Sequence, residues 1–456
     1  MRRVIWLVML ATMAPAAERL KLVTLDPGHF HAALVQKEML PELSDEAYVY
    51  APLGPDLMAH LNRIAQFNGR SENPARWKLA VYAGPDYWEQ MLADRRGQIV
   101  VLSGRNRGKI DRIEMIARRG WHALADKPWI IEPEDLPKLE SALEAARQQG
   151  VVAYDGMTQR YEISCILQRE LVNTPEVFGT PLTGSPEQPA VYMESIHYLL
   201  KRVAGQPNLR PPWFFDIREQ GEGLTDVGTH LVDLAQWILF PDQVLDWRKE
   251  VRVLKGSRWP TVLKPEEFQR VTGERPFPDS LSDFVRSDGL HYYCNNRVDY
   301  AIRGVHARLD VKWGFEASPG AGDTELAMFS GSKSRLEVRQ GREENYRPEV
   351  YVVPNRRNDQ AQIAAALERK LEALRKEWPG LELEDQRERF RVRIPDALRI
   401  GHEAHFALLA RKFLGYVKAP QSLPEWERAY MLAKYYVTTK GVELARQGYG
   451  HEPPRH

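Results

Sequence analysis

Cysteine is nearly absent: Cys165 and Cys294 are the two in 456 residues. They can make at most one bridge, which excludes a disulfide framework and a cysteine-built zinc site. Net charge is scarce as well. Lys and Arg number 63 against 62 Asp and Glu, so no electrostatic case exists for nucleic acid as a partner. Internal repeats and long low-complexity segments are missing. The apolar run from Val4 to Met13 falls short of the about 20 residues that a bilayer-spanning helix needs.

What is present begins with that run. Arg2 and Arg3 precede it, and Ala14-Pro15-Ala16 offers a small-x-small cleavage site. Residues 1–17 therefore read as an export signal, and the mature protein as periplasmic or secreted with no stable membrane span. A length of 456 residues exceeds one ordinary domain.

From Leu20 to Tyr154, short β-branched runs alternate with helical patterns, the signature of a parallel sheet with crossover helices. Leu20–Leu25, Tyr48–Ala51, Trp77–Tyr82, Ile99–Gly104, Trp121–Ala125 and Val151–Tyr154 are the expected strands. The first leads into Asp26-Pro27-Gly28-His29-Phe30-His31, where a dinucleotide-binding fold places its glycine-rich loop. The Gly-x-Gly-x-x-Gly fingerprint is missing. His29 and His31 either contact a ligand there or are partly exposed loop histidines. After the second strand comes Ala51-Pro52-Leu53-Gly54, with neither an acid for ribose hydroxyls nor an arginine for a 2′-phosphate. The region from about Val191 to Pro354 is strand-rich. His291–Asn296 and Val298–Arg303 read as neighbouring strands, and residues 318–323 as a loop. The C-terminal third reads as helical, and the charge run 384–389 as a solvated face.

Two segments carry chemistry. Asp226 and His230 are four apart, so one helical face holds both, and a carboxylate beside an imidazole sets its tautomer and basicity. The plain alternative is a capping Asp226 and an ordinary buried His230. Lys127, in Asp126-Lys127-Pro128, falls at the carboxyl end of a strand, where open parallel sheets bind ligands. One His-x-x-Asp pair, His230 and Asp233, is too little for a metal without a third ligand. No metal is expected.

Asp126-Lys127-Pro128 with the downstream Asp226-Val227-Gly228-Thr229-His230 resembles the Gfo/Idh/MocA oxidoreductases, which carry Glu-Lys-Pro and then Asp-x-Gly-x-His. The resemblance covers most of the mature chain. It implies an α/β Rossmann domain over 18–155 that binds NAD or NADP. It also implies an α+β substrate domain over 156–450, with a large open, mostly antiparallel sheet and closing C-terminal helices. Cofactor contacts are then expected from residues 26–31 and from Ser103, Gly104, Asn106, Asp126 and Lys127. Lys127, Asp226 and His230 become the catalytic groups, with Asp226 orienting His230. Arg160, in the segment crossing between the domains, joins His197, Trp213, Asp226 and His230 at the substrate. Lys201, Arg210 and Asp216 extend that wall.

The implied activity is NAD(P)-dependent oxidation or reduction at a secondary alcohol of a sugar, cyclitol or related polyol. The alternatives are a glycosidase that retains NAD and oxidises its sugar transiently, and a non-catalytic sugar- or dinucleotide-binding protein on the same fold. A homo-oligomer through the open sheet is also compatible. N-terminal sequencing of exported protein should find residues up to about Ala16 or Ala17 removed. An intact Met1 on soluble cytosolic protein contradicts that reading.

Overall fold

The computed structural model describes residues 19–203, 206–207 and 209–448. The expected export signal lies outside them. No helix among the described residues is long and apolar enough to cross a membrane.

Six parallel strands form the first sheet: β1 (Leu20–Leu25), β2 (Leu43–Ala51), β3 (Lys78–Ala83), β4 (Ile99–Leu102), β5 (His122–Ala125) and β6 (Ala153–Asp155). Their spatial order is β3-β2-β1-β4-β5-β6. This is the doubly wound arrangement, and its order reverses between β1 and β4. β4 is buried along its whole length, as its unbroken Ile-Val-Val-Leu run requires of a strand covered on both faces. The helix after β1, α1 (His31–Leu34), is a single turn. α2 (Pro55–Gly69), α3 (Tyr87–Asp94), α4 (Lys109–Arg118) and α5 (Leu136–Gln149) make the other crossovers.

The second sheet has ten strands. Val305–Gly314 and Val191–Tyr198 pair in parallel near its middle, and the remaining pairs are antiparallel. Gly289–Ile302 is one continuous strand, not the two expected. Asn295 and Asn296, the end of the first expected strand, lie buried inside it with their amides satisfied. Asn295 receives the Trp313 N–H, while Asn296 receives that of Leu224 and donates to Glu222. The charge run 384–389 is not helical either. It links strands Glu382–Asp385 and Phe390–Arg393, with Glu382 opposite Arg393 and Glu384 opposite Arg391. Such cross-strand pairs favour a hairpin.

Two C-terminal helices bind the halves together. His402–Lys418 sends Phe406, Leu409, Phe413 and Leu414 into the core on one face of the first sheet. Glu425–Gln447 sends Met431, Leu432 and Tyr435 to the other face, and Tyr430, Ala433 and Val437 into the core of the second sheet.

Between these apolar contacts runs a buried ionic network. Arg160 grips Asp233 in a bidentate pair at 2.6 and 2.7 Å and Glu427 at 2.7 Å. Lys434 bonds Asp155 at 2.6 Å and Asp233 at 3.2 Å. Tyr154 and Tyr435 add hydroxyl bonds to Glu427 and Asp155. Lys434 is fully buried. Removing one partner from such a network leaves buried charges uncompensated, which costs about 3–5 kcal/mol. Lys434→Met should therefore lower the denaturation midpoint strongly, with Asp155 and Asp233 left facing each other. An unchanged midpoint would show that the network does not hold the fold.

Candidate active site

The C-terminal ends of β1, β4 and β5 open onto the second domain at the point where strand order reverses. Three loops meet there: 26–31, 103–109 and 126–128. Lys127 Nζ hydrogen-bonds Asp226 Oδ1 across 99 residues of sequence, and both side chains are nearly buried. The Lys127–Pro128 peptide is cis. Burial opposes ionisation of Asp226, but the Lys127 ammonium outweighs it and holds the carboxyl below its ordinary range. His230 is buried, and desolvation together with Lys127 pushes its protonation well below the ordinary imidazole range. At neutral pH it is a neutral imidazole.

The expected Asp226–His230 pairing needs correction. Asp226 is engaged by Lys127, and Nδ1 of His230 is buried without a hydrogen-bond partner among the described residues. The cause lies in the backbone. One helix ends at Asp226 and the next begins at Gly228. The His230 N–H bonds the Val227 carbonyl at 3.0 Å, and the Thr229 hydroxyl takes the Asp226 carbonyl at 2.6 Å. A turn tightened in this way takes positions i and i+4 off a common face. Gly223 lies against the second sheet: a Cβ there would lie 1.9 Å from the Cys294 carbonyl oxygen. Cys165 and Cys294 are free and buried.

Asp126 sits behind Lys127. Its Oδ1 accepts the Lys127 N–H at 2.9 Å, and its Oδ2 lies 2.8 Å from His31 Nδ1 and 3.1 Å from Ser103 Oγ. Lys109 clamps the loop from below, bonding Asn106 Oδ1 at 2.5 Å and the carbonyls of Asp126 and Pro128 at 3.1 Å. Burial lowers this lysine to about 8. Asn106 also donates to the Gln220 carbonyl at 2.7 Å, tying the loop to the second domain. Sequence reading passed over Lys109, because a lysine opening a helix is ordinarily solvated.

The loop after β1 keeps the spacing of the missing glycine fingerprint, with Asp26 at its first position and His31 at its last. Asp26 adopts the left-handed φ of 47° that a glycine would supply. Its carboxylate holds Arg112 at 3.0 Å and Tyr87 at 3.2 Å. Gly28 is required by space, since a Cβ would meet Trp213 at 2.9 Å. The N–H groups of Gly28 and His29, which an anion would need, both donate to the Ser103 carbonyl. Donors for a diphosphate are instead side chains. A cavity of about 590 Å³ is lined by Gly28, His29, Phe30, His60, Arg63 and Arg105. Both ring nitrogens of His60 are buried there without a partner among the described residues. A second cavity, of about 240 Å³, covers the ends of β1 and β4, with Pro52, Gly104, Arg105 and Arg112 in its wall. The two cavities, with five arginines (Arg63, Arg105, Arg107, Arg112 and Arg210) and an orphaned histidine in their walls, fit a dinucleotide. Its contacts would be side chains more than backbone.

The substrate wall is met in part. His197 Nδ1 lies 2.9 Å from Asp323 and its Nε2 2.8 Å from Ser195 Oγ, with its ring against Trp313. Lys201 also binds Asp323, at 2.5 Å. Arg210 lies over Phe214 and Trp313. Trp213 bonds Asp56 at 2.9 Å and carries Arg105 on its face, bridging the domains. Arg160 does not belong to this wall, because its guanidinium is spent on Asp233 and Glu427. Asp216 is likewise committed to Arg218.

No curated protein matches the chain. A family model described as "Putative oxidoreductase C terminal domain" matches residues 167–446. Among solved structures, a "putative oxidoreductase" from Parabacteroides merdae ATCC 43184 is 45% identical, with 94% of this chain and 98% of that one covered at a TM-score of 0.92. Levoglucosan dehydrogenase, solved with NADH and levoglucosan, shares 13% identity over 94% of this chain and 98% of its own, at a TM-score of 0.58. KijD10, a 3-ketoreductase from Actinomadura kijaniata solved with NADP, shares 13% over 91% and 95%, at 0.53. The family model spans most of the chain and the 45% identical relative nearly all of it, so the protein belongs to the oxidoreductase family that carries this C-terminal domain.

Proposed function

We propose that the protein is an NAD(P)-dependent oxidoreductase acting on a secondary alcohol of a sugar, cyclitol or related polyol. The Lys127–Asp226 ion pair carries this reading. It joins the two domains at the strand ends and sets a cation beside a neutral, buried imidazole. The dinucleotides bound by levoglucosan dehydrogenase and KijD10 support the cofactor assignment by likeness of fold. Levoglucosan in the former supports a carbohydrate-like substrate.

When bound, the nicotinamide would accept or return the hydride at the substrate carbon. The chain's own residues do the rest. Lys127 polarises the reacting oxygen, and Asp226 holds the ammonium in place. His230, neutral before reaction, takes the hydroxyl proton during oxidation and gives it back during reduction. Lys109 keeps the Asp126–Pro128 backbone from shifting beneath Lys127. Trp213, in the wall of the larger cavity, would meet the apolar C–H side of a sugar ring, with Lys201, Arg210 and Asp323 at its hydroxyl edge.

Once a panel of sugars and polyols has yielded a substrate, His230→Ala should cost about 10²–10⁴-fold in turnover. Dinucleotide affinity, measured by calorimetry, should stay near that of the unaltered protein, because the cofactor cavities are lined by other residues. Asp226→Asn should lower kcat more than it raises KM, since it releases the Lys127 ammonium from its position. Near-normal turnover in His230→Ala would remove His230 from the mechanism.

A further inference from the structure

One cluster beside the Lys127–Asp226 pair has no part in the proton transfer described above. His29 and His31 leave the end of β1, and Asp126 leaves the end of β5. Nδ1 of His31 lies 2.8 Å from Oδ2 of Asp126, and Nδ1 of His29 lies 3.2 Å from the same oxygen. The three candidate ligand atoms all fall within 4.8 Å of one another. Donors on one tetrahedral zinc, each at about 2.0–2.1 Å, stand roughly 3.3 Å apart. The cluster would need to open only slightly to admit an ion.

A second observation points the same way. Nδ1 of His29 is buried, and its one polar neighbour, Asp126 Oδ2 at 3.2 Å, is not met in good hydrogen-bond geometry. A ring nitrogen aimed into a polar cluster and left unpaired is costly unless something else occupies the centre. The surroundings are also those of a metal site. Metal-bound imidazoles usually present their other nitrogen to a fixed partner. His31 does so: its Nε2 lies 3.1 Å from Nε2 of His402, on the helix His402–Lys418. Ser103 and the Lys127 N–H hold the two oxygens of Asp126 in the same manner.

We propose that His29 Nδ1, His31 Nδ1 and Asp126 Oδ2 bind one divalent cation of the zinc class, with His402 as the positioning residue behind His31. Two imidazoles and one carboxylate suit zinc and its transition-metal neighbours rather than magnesium or calcium. Three protein ligands leave at least one position open. Of the three, His29 also lines the 590 Å³ cavity. An ion there would lie one residue from Lys127 and would act as a Lewis acid on an oxygen of a bound substrate.

The test uses the full chain, stripped with chelator and titrated with Co²⁺ and then Zn²⁺. Calorimetry gives the stoichiometry, and the visible spectrum of Co²⁺ reports its geometry. One equivalent should bind, with the intense bands of a four- or five-coordinate ion. His402→Ala should weaken binding about 10–100-fold, as loss of an outer partner does. His29→Ala and His31→Ala should weaken it further and change the Co²⁺ spectrum. His29 is the safest site for substitution, because its side chain is 30% exposed. Absence of stoichiometric binding by folded protein overturns the proposal. So does binding that persists unchanged in His29→Ala and His31→Ala, which would place the ion elsewhere. Dinucleotide titration of the stripped protein tests the cofactor reading separately, so the two cannot fail unnoticed together.

Discussion

Everything at the site depends on the buried grip of Arg160 and Lys434 on Asp233. Asp233 stands one helical turn beyond His230. Arg160 lies just past the last strand of the first sheet, and Lys434 in the long C-terminal helix. Three segments distant in sequence are thereby locked to one carboxylate. Burying these charges costs several kcal/mol per ion unless partners are well placed. Here Arg160 is bidentate on Asp233, Lys434 adds an ammonium, and two tyrosines complete the set. The network adds what an apolar seam would not: a single rotational setting of the helix that bears His230 against the strand ends that bear Lys127.

With that setting fixed, electrostatics divides the labour. Lys127 and Asp226 neutralise one another in a desolvated site, so the ammonium is held without a net buried charge. His230 then has no anionic partner of its own and stays neutral. An imidazole pinned to a carboxylate would instead tend toward the protonated form. The arrangement is a cation fixed at one point and a neutral acceptor near it, which suits an oxygen that must lose a proton as its carbon loses a hydride. On the far side, Lys109 gives up part of its basicity to hold the loop backbone.

The first sheet was legible because its strands are short, apolar and separated by helical patterns. Ile99–Leu102 and His122–Ala125 fall inside the runs expected. Asp126, Lys127, Asp226 and His230 were legible as a pair of motifs, but the bond between Lys127 and Asp226 was not, because a tightened turn at Val227 overrides simple helical spacing. The family resemblance of the crossing segment places Arg160 at the substrate, but sequence shows a charge without showing that Asp233 and Glu427 neutralise it. Lys434 and His402 were invisible for the same reason: their partners lie 279 and 371 residues away. Gly289–Ile302 reads as two strands rather than one, because the hydrogen bonds that keep Asn295 and Asn296 inside a buried strand come from residues distant in sequence.

Central to the account is transfer of a hydride from a substrate carbon to a nicotinamide held in this protein. It is tested most directly with a polyol or sugar deuterated at its secondary carbinol carbons. Folded protein would be mixed with that compound and oxidised dinucleotide for a single turnover, and the dinucleotide weighed by mass spectrometry after denaturation. The account predicts a reduced dinucleotide carrying one deuterium, formed by the unaltered protein and nearly lost with Lys127→Ala. Folded protein that binds such a compound but yields no deuterated dinucleotide, across the panel and with both NAD and NADP, would contradict it.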